Sequence, residues 1–370
     1  MQPYQNGGTK GRAPCDNLFI TNNVIEDYRE RGENLYLLFA DLEKCFDKLH
    51  LKDCIIEVVE AGVPVEEAIF IYEMNRDIEA EVDTPVGLTN KIHIEEAVRQ
   101  GTELGPPLCG VSTNRINKMG KNGGIILNKT EIQCPIFVDD IIGMGGKVEV
   151  EDVGDKMNGL EKTKKFQFNN KKDKTEVLAM KFNKKEEIQT VTIDVRKGRI
   201  GRTENYKYLG DHYDERGSNI YKIQKKMERA KYMAYEVKRM GSAKLVGRAA
   251  AMVRLLLNDM IVKPTLLSNT ETWCKVGKLE EDEWKKWQYQ VNTIIMEQKM
   301  GTPYWGIIAE TGIWPYQYIV EYKMLMFAHT LVKSDEDRIA RRILIEQSKS
   351  TTTDNYYNDI KAKANKFGVD

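Results

Sequence analysis

Residues 35–47 of the chain read LYLLFADLEKCFD, an apolar run that leads into acidic residues. Six residues of apolar character or high strand propensity run without interruption into Asp41. Because a strand that is apolar on both faces must be covered on both faces, the run predicts a buried central strand. Asp41 then lies where the sheet ends and solvent begins, which is a suitable place for a metal ion.

A second apolar run, residues 134–138 (CPIFV), ends in Asp139 and Asp140, and apolar sequence resumes at residue 141. This pattern predicts two strands joined by a tight turn that places both aspartates at a sheet edge beside Asp41. An Asp pair between strands is also a common turn signal, and an Asp after a strand is a common helix cap. The residues alone therefore leave a metal site and a purely structural role both open.

The overall composition excludes several classes of protein. The 370 residues contain 56 Lys and Arg and 56 Asp and Glu, so the total charge gives no information about a polyanionic partner, and only the distribution of charge can. Six scattered Cys without a C-x-x-C pair, and four His without a zinc pattern, predict reduced thiols in an intracellular protein. The N-terminal residues contain no apolar h-region, so we expect no signal peptide. No apolar run approaches the roughly 20 residues of a membrane helix, so we expect no membrane association.

The distribution of pattern and charge along the chain is more informative. Strand and helix patterns mix up to about residue 212, and only helical patterns follow, the clearest over residues 220–240. We predict three regions, 1–212, 213–300 and 301–370. Two segments are strongly basic: residues 215–254 hold eleven Lys or Arg and three Glu, and residues 161–185 hold nine Lys and three acids. Such stripes suit a nucleic-acid backbone, with a solvated helix face as the alternative.

Short blocks along the chain resemble, in order, those of one family, the reverse transcriptases of non-LTR (LINE-type) retrotransposons. The similar segments are residues 5–7 (QNG), 11–12 (GR) and 16–19 (DNLF) to the fingers block, 39–47 (FADLEKCFD) to motif A, 98–108 (VRQGTELGPPL) to motif B, 137–140 (FVDD) to motif C, 174–176 (KTE) to motif D, and 206–210 (YKYLG) to motif E. Residues 271–273 (ETW) and 310–312 (ETG) resemble blocks of the helical region. Each motif alone is weak, whereas six in the correct order are specific.

The resemblance implies an α+β right-hand polymerase. Its parts would be partial fingers and a palm with an antiparallel sheet, followed by an all-helical thumb and a helical C-terminal region. The implied activity is RNA-directed DNA synthesis, in which a primer 3′-hydroxyl attacks a deoxynucleoside triphosphate. The implied partners are an RNA template, a DNA primer and dNTP, and the implied cofactor is two Mg²⁺ ions, with Mn²⁺ as the alternative ion.

The resemblance also implies roles for individual residues. Metal ligands would be the carboxylates of Asp41, Asp139 and Asp140 and the carbonyl of Leu42. The remaining sites are the sugar-facing wall at Phe46, the nucleotide and template pocket at Arg99, Gln100 and Gly101, the leaving-group cation at Lys174, and the primer grip at Tyr208, Leu209 and Gly210. Without the resemblance, Phe46 would be interpreted as a core aromatic residue. For Arg99 and Lys174, a surface charge remains an equal alternative.

The chain also departs from the family pattern. Gly8 replaces the usual aromatic residue after Q-N-G, and Ala13 and Pro14 replace the usual Ser and Thr. The upstream Arg-Pro-Ile block, an endonuclease segment and a Cys/His knuckle have no counterpart. We therefore expect an N-terminally truncated piece of a longer polyprotein. The alternatives are a catalytically inactive, reverse-transcriptase-like nucleic-acid-binding fragment and an intron-maturase-like RNA-binding protein.

Overall fold

The computed structural model describes residues 3–94, 98, 102–119, 124–163, 166–242, 247–298, 301–351 and 354–368. Its contacts divide the chain into two compact units, each of which is described by itself. Unit 1 comprises Met1–Glu204 and Asp337–Ile339, and unit 2 comprises Asn205–Glu336 and Ala340–Asp370. The three-region division of the sequence at residues 212 and 300 stays a prediction.

Unit 1 mixes helices and strands. Its elements are α1 (Pro14–Arg31), β1 (Leu35–Ala40), α2 (Cys45–Lys48), α3 (Leu51–Glu60), α4 (Val65–Asn75), β2 (Ile78–Ala80), β3 (Asp83–Thr84), β4 (Gly87–Leu88), β5 (Ile92–Ile94), α5 (Gly105–Thr113), a 3₁₀ turn (Asn114–Lys118), β6 (Ile125–Leu127), β7 (Thr130–Ile132), β8 (Ile136–Phe137), β9 (Asp140–Gly145), α6 (Lys147–Thr163), β10 (Glu176–Met180), β11 (Asp194–Val195), β12 (Gly198–Arg199) and β13 (Gly201–Thr203). A mixed unit of this kind is what the α+β prediction requires.

Five strands form the main sheet, in the order β13-β10-β1-β9-β8. All neighbours are antiparallel except β10 and β13. The predicted central strand is confirmed, because β1 lies between β9 and β10 and all six of its residues are buried. Ala40 at its end pairs with Ile141, so the strand that carries Asp41 directly neighbours the strand that follows Asp139.

Helix α6 packs closely on the sheet through a glycine. A Cβ atom built on Gly143 of β9 would lie 2.9 Å from the Cγ1 atom of Val153 in α6, closer than side chains tolerate. Val150, Val153, Met157 and Leu160 of this helix are fully or almost fully buried in the same core as Leu38 and Ala40 of β1. Apolar residues at helical spacing therefore cover one face of the central strands.

The first helix begins with a cap that reaches residues far along the chain. Ala13 is the N-cap, and its backbone N–H donates to Oδ2 of Asp16 at 2.9 Å. The guanidinium of Arg338, which also belongs to unit 1, donates to both oxygens of Asp16 at 2.6 and 2.9 Å. Asp16 is buried, so this bidentate pair balances a charge that the interior would otherwise disfavour.

Unit 2 begins with a hairpin and is otherwise helical. Its elements are β14 (Asn205–Tyr208), β15 (Asp211–Asp214), α7 (Asn219–Ser242), α8 (Gly247–Leu257), a π turn (Asn258–Val262), α9 (Lys263–Leu267), a 3₁₀ turn (Thr270–Thr272), α10 (Lys278–Met296), α11 (Tyr304–Thr311), α12 (Tyr316–Lys333), α13 (Ile339–Lys349, whose first residue belongs to unit 1) and α14 (Tyr356–Phe367). No helix in the described ranges is long and apolar enough to cross a membrane.

The helical patterns of unit 2 mostly form as expected. In α7, Ile223, Met227, Ala230 and Val237 are buried, as their spacing of three to four residues predicts. The sequence also predicts that a helix over residues 243–262 ends at Pro264, and this end is wrong. Helical backbone continues through the π turn into α9, where Pro264 lies in the first turn, a position that proline tolerates.

Candidate active site

Three aspartates meet where the central strands of the main sheet end, and this group of strand-end carboxylates is the acidic edge. Asp41 follows β1, and Asp140 begins β9 at the next register position beyond the Ala40–Ile141 pair. Phe137 pairs with Asp140, so Val138 and Asp139 form a two-residue turn between β8 and β9. The predicted hairpin is therefore present and carries both of its aspartates to the end of β1.

The charges of these aspartates interact. Burial first, and then the negative charges of Asp139 and Asp41, raise the pKa of Asp140 to about 7. Burial and the charge of Asp41 likewise raise the pKa of Asp139, whereas Lys174 opposes both shifts. A crowded group of carboxyls that resists ionisation is a feature of functional sites, because a bound cation relieves the repulsion.

Asp41 itself is held by the segment before β10. Its Oδ1 lies 3.2 Å from Nζ of Lys174, and its Oδ2 accepts from Nδ2 of Asn169 at 3.4 Å. Its backbone N–H donates to the Thr175 hydroxyl at 3.1 Å, and its carbonyl accepts from the Asn169 N–H at 2.9 Å. These contacts fix the backbone at Asp41 and place an ammonium group on its carboxylate.

The backbone at Leu42 forms an isolated antiparallel bridge with Phe168. The hydrogen bonds on this bridge come from the flanking residues, from Glu43 N–H to Gln167 and from Asn169 N–H to Asp41. In this ladder pattern the carbonyl of Leu42 points away from residue 168. It is thus not used by the bridge, as the predicted role of a backbone metal ligand requires.

The donor chemistry of the edge suits a hard divalent cation, because it consists of carboxylates and a backbone carbonyl. Within the described ranges, however, no three His, Cys, Asp or Glu side chains are placed so that they could hold a metal ion together. The ammonium group of Lys174 forms an ion pair with the carboxylate of Asp41 instead. A cation bound by these aspartates would therefore compete with the ammonium of Lys174 for Oδ1 of Asp41.

The family model for reverse transcriptase (RNA-dependent DNA polymerase) matches residues 1–213, the part of the chain that holds this acidic edge. The chain belongs to the reverse transcriptase family. Its match covers all of the sheet described above and ends in β15. A polymerase palm with an antiparallel sheet, followed by a helical region, is therefore the fold of this member, as the sequence predicted.

A retrotransposon polyprotein is similar in sequence to this reverse transcriptase. The Retrovirus-related Pol polyprotein from type-1 retrotransposable element R2 of Nasonia vitripennis is 21% identical over an alignment of 226 residues, which covers 56% of this chain and 21% of the polyprotein. This similarity supports the assignment to non-LTR retrotransposons. The chain spans about a fifth of the length of that relative.

Solved structures with a similar backbone path include telomerases from two Candida species. The telomerase of Candida albicans in complex with the TWJ fragment of telomeric RNA is 12% identical, with a TM-score of 0.39, and 93% of this chain and 54% of that chain are covered. The corresponding complex from Candida tropicalis is 12% identical, with a TM-score of 0.41 and coverage of 92% and 53%. Similarity at this level carries no argument about function.

The remaining predicted residues of unit 1 have different outcomes. Phe46 is partly buried and packs against the core, and its carbonyl accepts from Val98 N–H at 3.0 Å. This contact joins motif A to the start of motif B. Arg99, Gln100 and Gly101 lie outside the described residues.

The predicted primer grip belongs to unit 2. Tyr208 ends β14 and is buried, and Leu209 and Gly210 form a two-residue turn to β15 with φ values of 46° and 88°. The carbonyl of Leu209 accepts from Nδ2 of Asn269 at 3.1 Å. The tight turn that the sequence predicts is thus present and anchored.

The residue roles implied by the sequence do not include two residues that contact the β8–β9 hairpin, which carries Asp139 and Asp140 and is the acidic hairpin. The side chain of Gln5 bonds both peptide groups of Val138, and the hydroxyl of Thr113 donates to the Val138 carbonyl at 2.7 Å. Gln5 lies in the QNG block, which is a signal in the sequence, although the block does not reveal its partner. Thr113 carries no comparable signal.

Proposed function

We propose that this chain catalyses RNA-directed DNA synthesis, in which the 3′-hydroxyl of a DNA primer attacks the α-phosphate of a dNTP on an RNA template. The observation that carries the proposal is the meeting of Asp41, Asp139 and Asp140 at one sheet edge, inside the segment that matches the reverse transcriptase family. A mere turn or helix cap would not require two separate strands to bring their acids to the same edge.

The proposed site would hold two divalent cations, Mg²⁺ or Mn²⁺, on Asp41, Asp139, Asp140 and the carbonyl of Leu42. When bound, such ions promote ionisation of the attacking hydroxyl and stabilise the charge on the leaving pyrophosphate. The carboxyls themselves supply hard oxygen ligands. The raised pKa values of Asp139 and Asp140 support this role, since burial first, and then the neighbouring negative charge, disfavours their ionisation in the absence of a bound cation.

Other residues of unit 1 would handle the nucleotide. The ammonium of Lys174, released from Asp41, can neutralise or protonate the pyrophosphate. Its side chain is 48% exposed, so it has room to leave the carboxylate. Phe46 would form the wall below the incoming sugar, and Arg99, Gln100 and Gly101 would line the nucleotide and template pocket, as the family resemblance implies.

Unit 2 offers a basic surface for a nucleic-acid backbone. A cavity of about 570 Å³ is lined by the cations Lys207, Lys225 and Arg229, together with His212, the buried Lys226 and Glu228, and it includes Gly210 of the predicted primer grip. Positive charge around a concave surface favours phosphate binding largely independently of base sequence. We propose that the template–primer duplex is bound here.

The basic stripe over residues 215–254 is nevertheless thinner than its net charge suggests. Lys222 and Lys226 are buried at 2% and 4% exposure, and both ion-pair with Asp211. Arg254 is also buried and pairs with Glu297. These three charges stabilise unit 2, and the phosphate contacts would come from the exposed members of the stripe.

A catalytically inactive nucleic-acid-binding protein is the second candidate, and two observations favour it. The ammonium of Lys174 sits where a cation would bind Asp41, and no three-ligand group is formed among the described residues. Such a protein would bind template–primer duplex with an affinity that falls with salt, yet incorporate no nucleotide at saturating dNTP.

Primer extension on an RNA template distinguishes the two candidates. We expect extension with Mg²⁺ or Mn²⁺ by the chain as it stands, and its loss in Asp139→Ala with template–primer binding unchanged. The exposed Asp155 of α6 provides the matched control, Asp155→Asn, which should extend normally. Extension that survives Asp139→Ala would remove this residue from the site, and binding without any extension would favour the second candidate.

Other polyprotein segments, including an endonuclease, are proposed partners.

A further inference from the structure

The N-terminal segment runs alongside the acidic hairpin. Asn6 N–H donates to the Ile136 carbonyl at 2.8 Å, and Ile136 N–H donates to the Tyr4 carbonyl at 2.9 Å. These bonds form a parallel bridge between Gln5 and Ile136, beside β8. The side chain of Gln5 is therefore brought to the turn that follows β8, and only 1% of this residue is exposed.

The turn that Gln5 reaches contains a residue in an unusual conformation. Val138 has a φ of 60°, in the left-handed region, although it is β-branched. Such a residue normally avoids this region, so the surrounding structure must hold it there. Val138 immediately precedes Asp139 and Asp140, so its conformation determines the direction in which the chain delivers both acids.

The side-chain amide of Gln5 holds both peptide groups of Val138. Its Oε1 accepts from Val138 N–H at 3.0 Å, and its Nε2 donates to the Val138 carbonyl at 3.3 Å. Thr113 adds a second donor, since its hydroxyl bonds the same carbonyl at 2.7 Å. The polar groups of the strained residue are thereby satisfied without water.

The orientation of this amide is unambiguous. Oε1 also accepts from Gly7 N–H at 2.8 Å, whereas Nε2 also faces the Gly110 carbonyl at 3.3 Å and the Thr113 hydroxyl at 3.2 Å. Backbone donors lie on one side and acceptors on the other, so the exchanged assignment would break the network. Gly7 completes the fit, because a Cβ there would lie 2.3 Å from the Val138 nitrogen.

We propose that Gln5 is a positioning residue for the polymerase reaction, with Thr113 as its support. It acts through the backbone of Val138 and sets where Asp139 and Asp140 stand at the sheet edge. The proposal rests on the proposed function of that edge, and it gives a role to the QNG block that is distinct from contact with substrate. Loss of the amide would let the hairpin sample other conformations and would misplace both acids.

Hydrogen exchange tests the positioning without any assay of activity. In Gln5→Met, which keeps length and removes both polar groups, we expect faster exchange in the peptide covering residues 136–141, because Val138 N–H loses its acceptor. Peptides from β1 should exchange as in the unchanged protein. The matched control is Gln189→Met, at an exposed glutamine in unit 1. Unchanged exchange over residues 136–141 would overturn the proposal.

Steady-state kinetics then test the link to catalysis. For Gln5→Met we expect kcat for primer extension to fall about tenfold or more, since small misplacements of reacting groups are costly, with little change in KM for dNTP or in template–primer affinity. Thr113→Val should show a smaller loss of the same kind, and Thr113→Ser, which keeps the hydroxyl, should restore kcat.

The two experiments separate the two hypotheses. If the unchanged protein extends no primer, the proposed polymerase activity fails, and the exchange result still decides whether Gln5 holds the hairpin. If the unchanged protein is active, and Gln5→Met and Thr113→Val both keep full kcat, the positioning role is wrong. Should Gln5→Met fail to fold, the comparison of Thr113→Val with Thr113→Ser still decides the matter.

Discussion

The ammonium nitrogen of Lys174 lies 3.2 Å from Oδ1 of Asp41, the carboxylate that follows the central strand. The two residues come from motifs D and A, 133 positions apart in the chain. With Lys174 half exposed, such an ion pair contributes only about 0–1 kcal/mol, so it can open readily. At the proposed site, a divalent cation would compete with the ammonium for Asp41, and Lys174 would then be free to act on the leaving group.

This exchange predicts opposite effects of Lys174→Gln on metal binding and on catalysis. We expect Mn²⁺ to bind at a lower concentration, because the competing ammonium is gone, and kcat to fall about a hundredfold through loss of a proton donor. Electron paramagnetic resonance measures free Mn²⁺, and primer extension measures kcat. Lys172→Gln, at an exposed lysine two positions earlier, is the control. Unchanged Mn²⁺ affinity in Lys174→Gln would contradict competition between the cation and the ammonium for Asp41.

The raised pKa of Asp140 predicts a dependence of stability on pH. A carboxyl whose pKa is about 7 when folded, but about 3.9 in the unfolded chain, binds its proton more tightly in the folded state. Its contribution to stability is therefore full below about pH 4 and is lost as the pH rises through 7. This holds for the protein without metal.

Asp140→Asn should remove that loss. We expect it to stabilise the metal-free protein more at pH 8 than at pH 5, by on the order of 2 kcal/mol after allowance for partial solvent screening. Urea denaturation followed by far-UV circular dichroism at both pH values measures the difference. Asp155→Asn, on the exposed face of α6, should show none. An equal effect of Asp140→Asn on the free energy of unfolding at both pH values would show that the pKa of Asp140 is not raised in the folded protein.

A buried charge network predicts a large loss of stability in unit 2. Asp211 is fully buried, with Lys226 Nζ 2.7 Å from its Oδ1 and Trp273 Nε1 donating to its Oδ2 at 2.8 Å. Lys226→Met would leave the carboxylate poorly compensated and should cost about 3 kcal/mol. Lys225→Met, at a partly exposed position, should cost less than about 0.5 kcal/mol.

Tryptophan fluorescence is the appropriate probe for that comparison, because all five Trp residues lie in unit 2. Urea denaturation of the two variants should give well-separated midpoints. If Lys226→Met and Lys225→Met unfold at the same urea concentration, the network does not stabilise unit 2 as described.

The contact between Gly7 and Val138 predicts that even one methyl group is not tolerated. Gly7→Ala would bring a Cβ within 2.3 Å of a backbone nitrogen, which must move, and we expect a loss of about 2 kcal/mol. Gly201→Ala is the matched control, because no atom lies within 4 Å of its Cβ position. Far-UV circular dichroism during urea denaturation measures both. Similar midpoints for the two variants would show that the hairpin yields more easily than its packing suggests.

Local pattern was sufficient for the elements that build the acidic edge. An apolar run on both faces predicted β1, and the aspartate pair after another apolar run predicted the β8–β9 hairpin. The end of the helix before Pro264 was wrong, because the sequence does not show that a π turn shifts the proline into a first helical turn. Propensity describes residue neighbours, whereas such a shift depends on packing.

Partners that lie far apart in the chain could not be read in this way. Arg338 pairs with Asp16 across 322 positions, and Gln5 bonds Val138 across 133. The basic stripe shows the same limit, since Lys222 and Lys226 have the spacing of a solvated helix face and are buried on Asp211. A charge in the sequence carries no mark of whether its partner is solvent, a phosphate or a carboxylate.

By itself, the sequence determined the central strand, the order of the motifs and the residues that could carry the chemistry, because these depend on periodicity and on residue type. Only the tertiary structure decided that Asp41, Asp139 and Asp140 meet at the same strand ends. It also decided that Lys174 forms an ion pair with Asp41, and that Gln5 hydrogen-bonds Val138 in the turn before Asp140. The physical reason is that hydrogen bonds and ion pairs act over a few ångströms, and only the folded chain sets those distances.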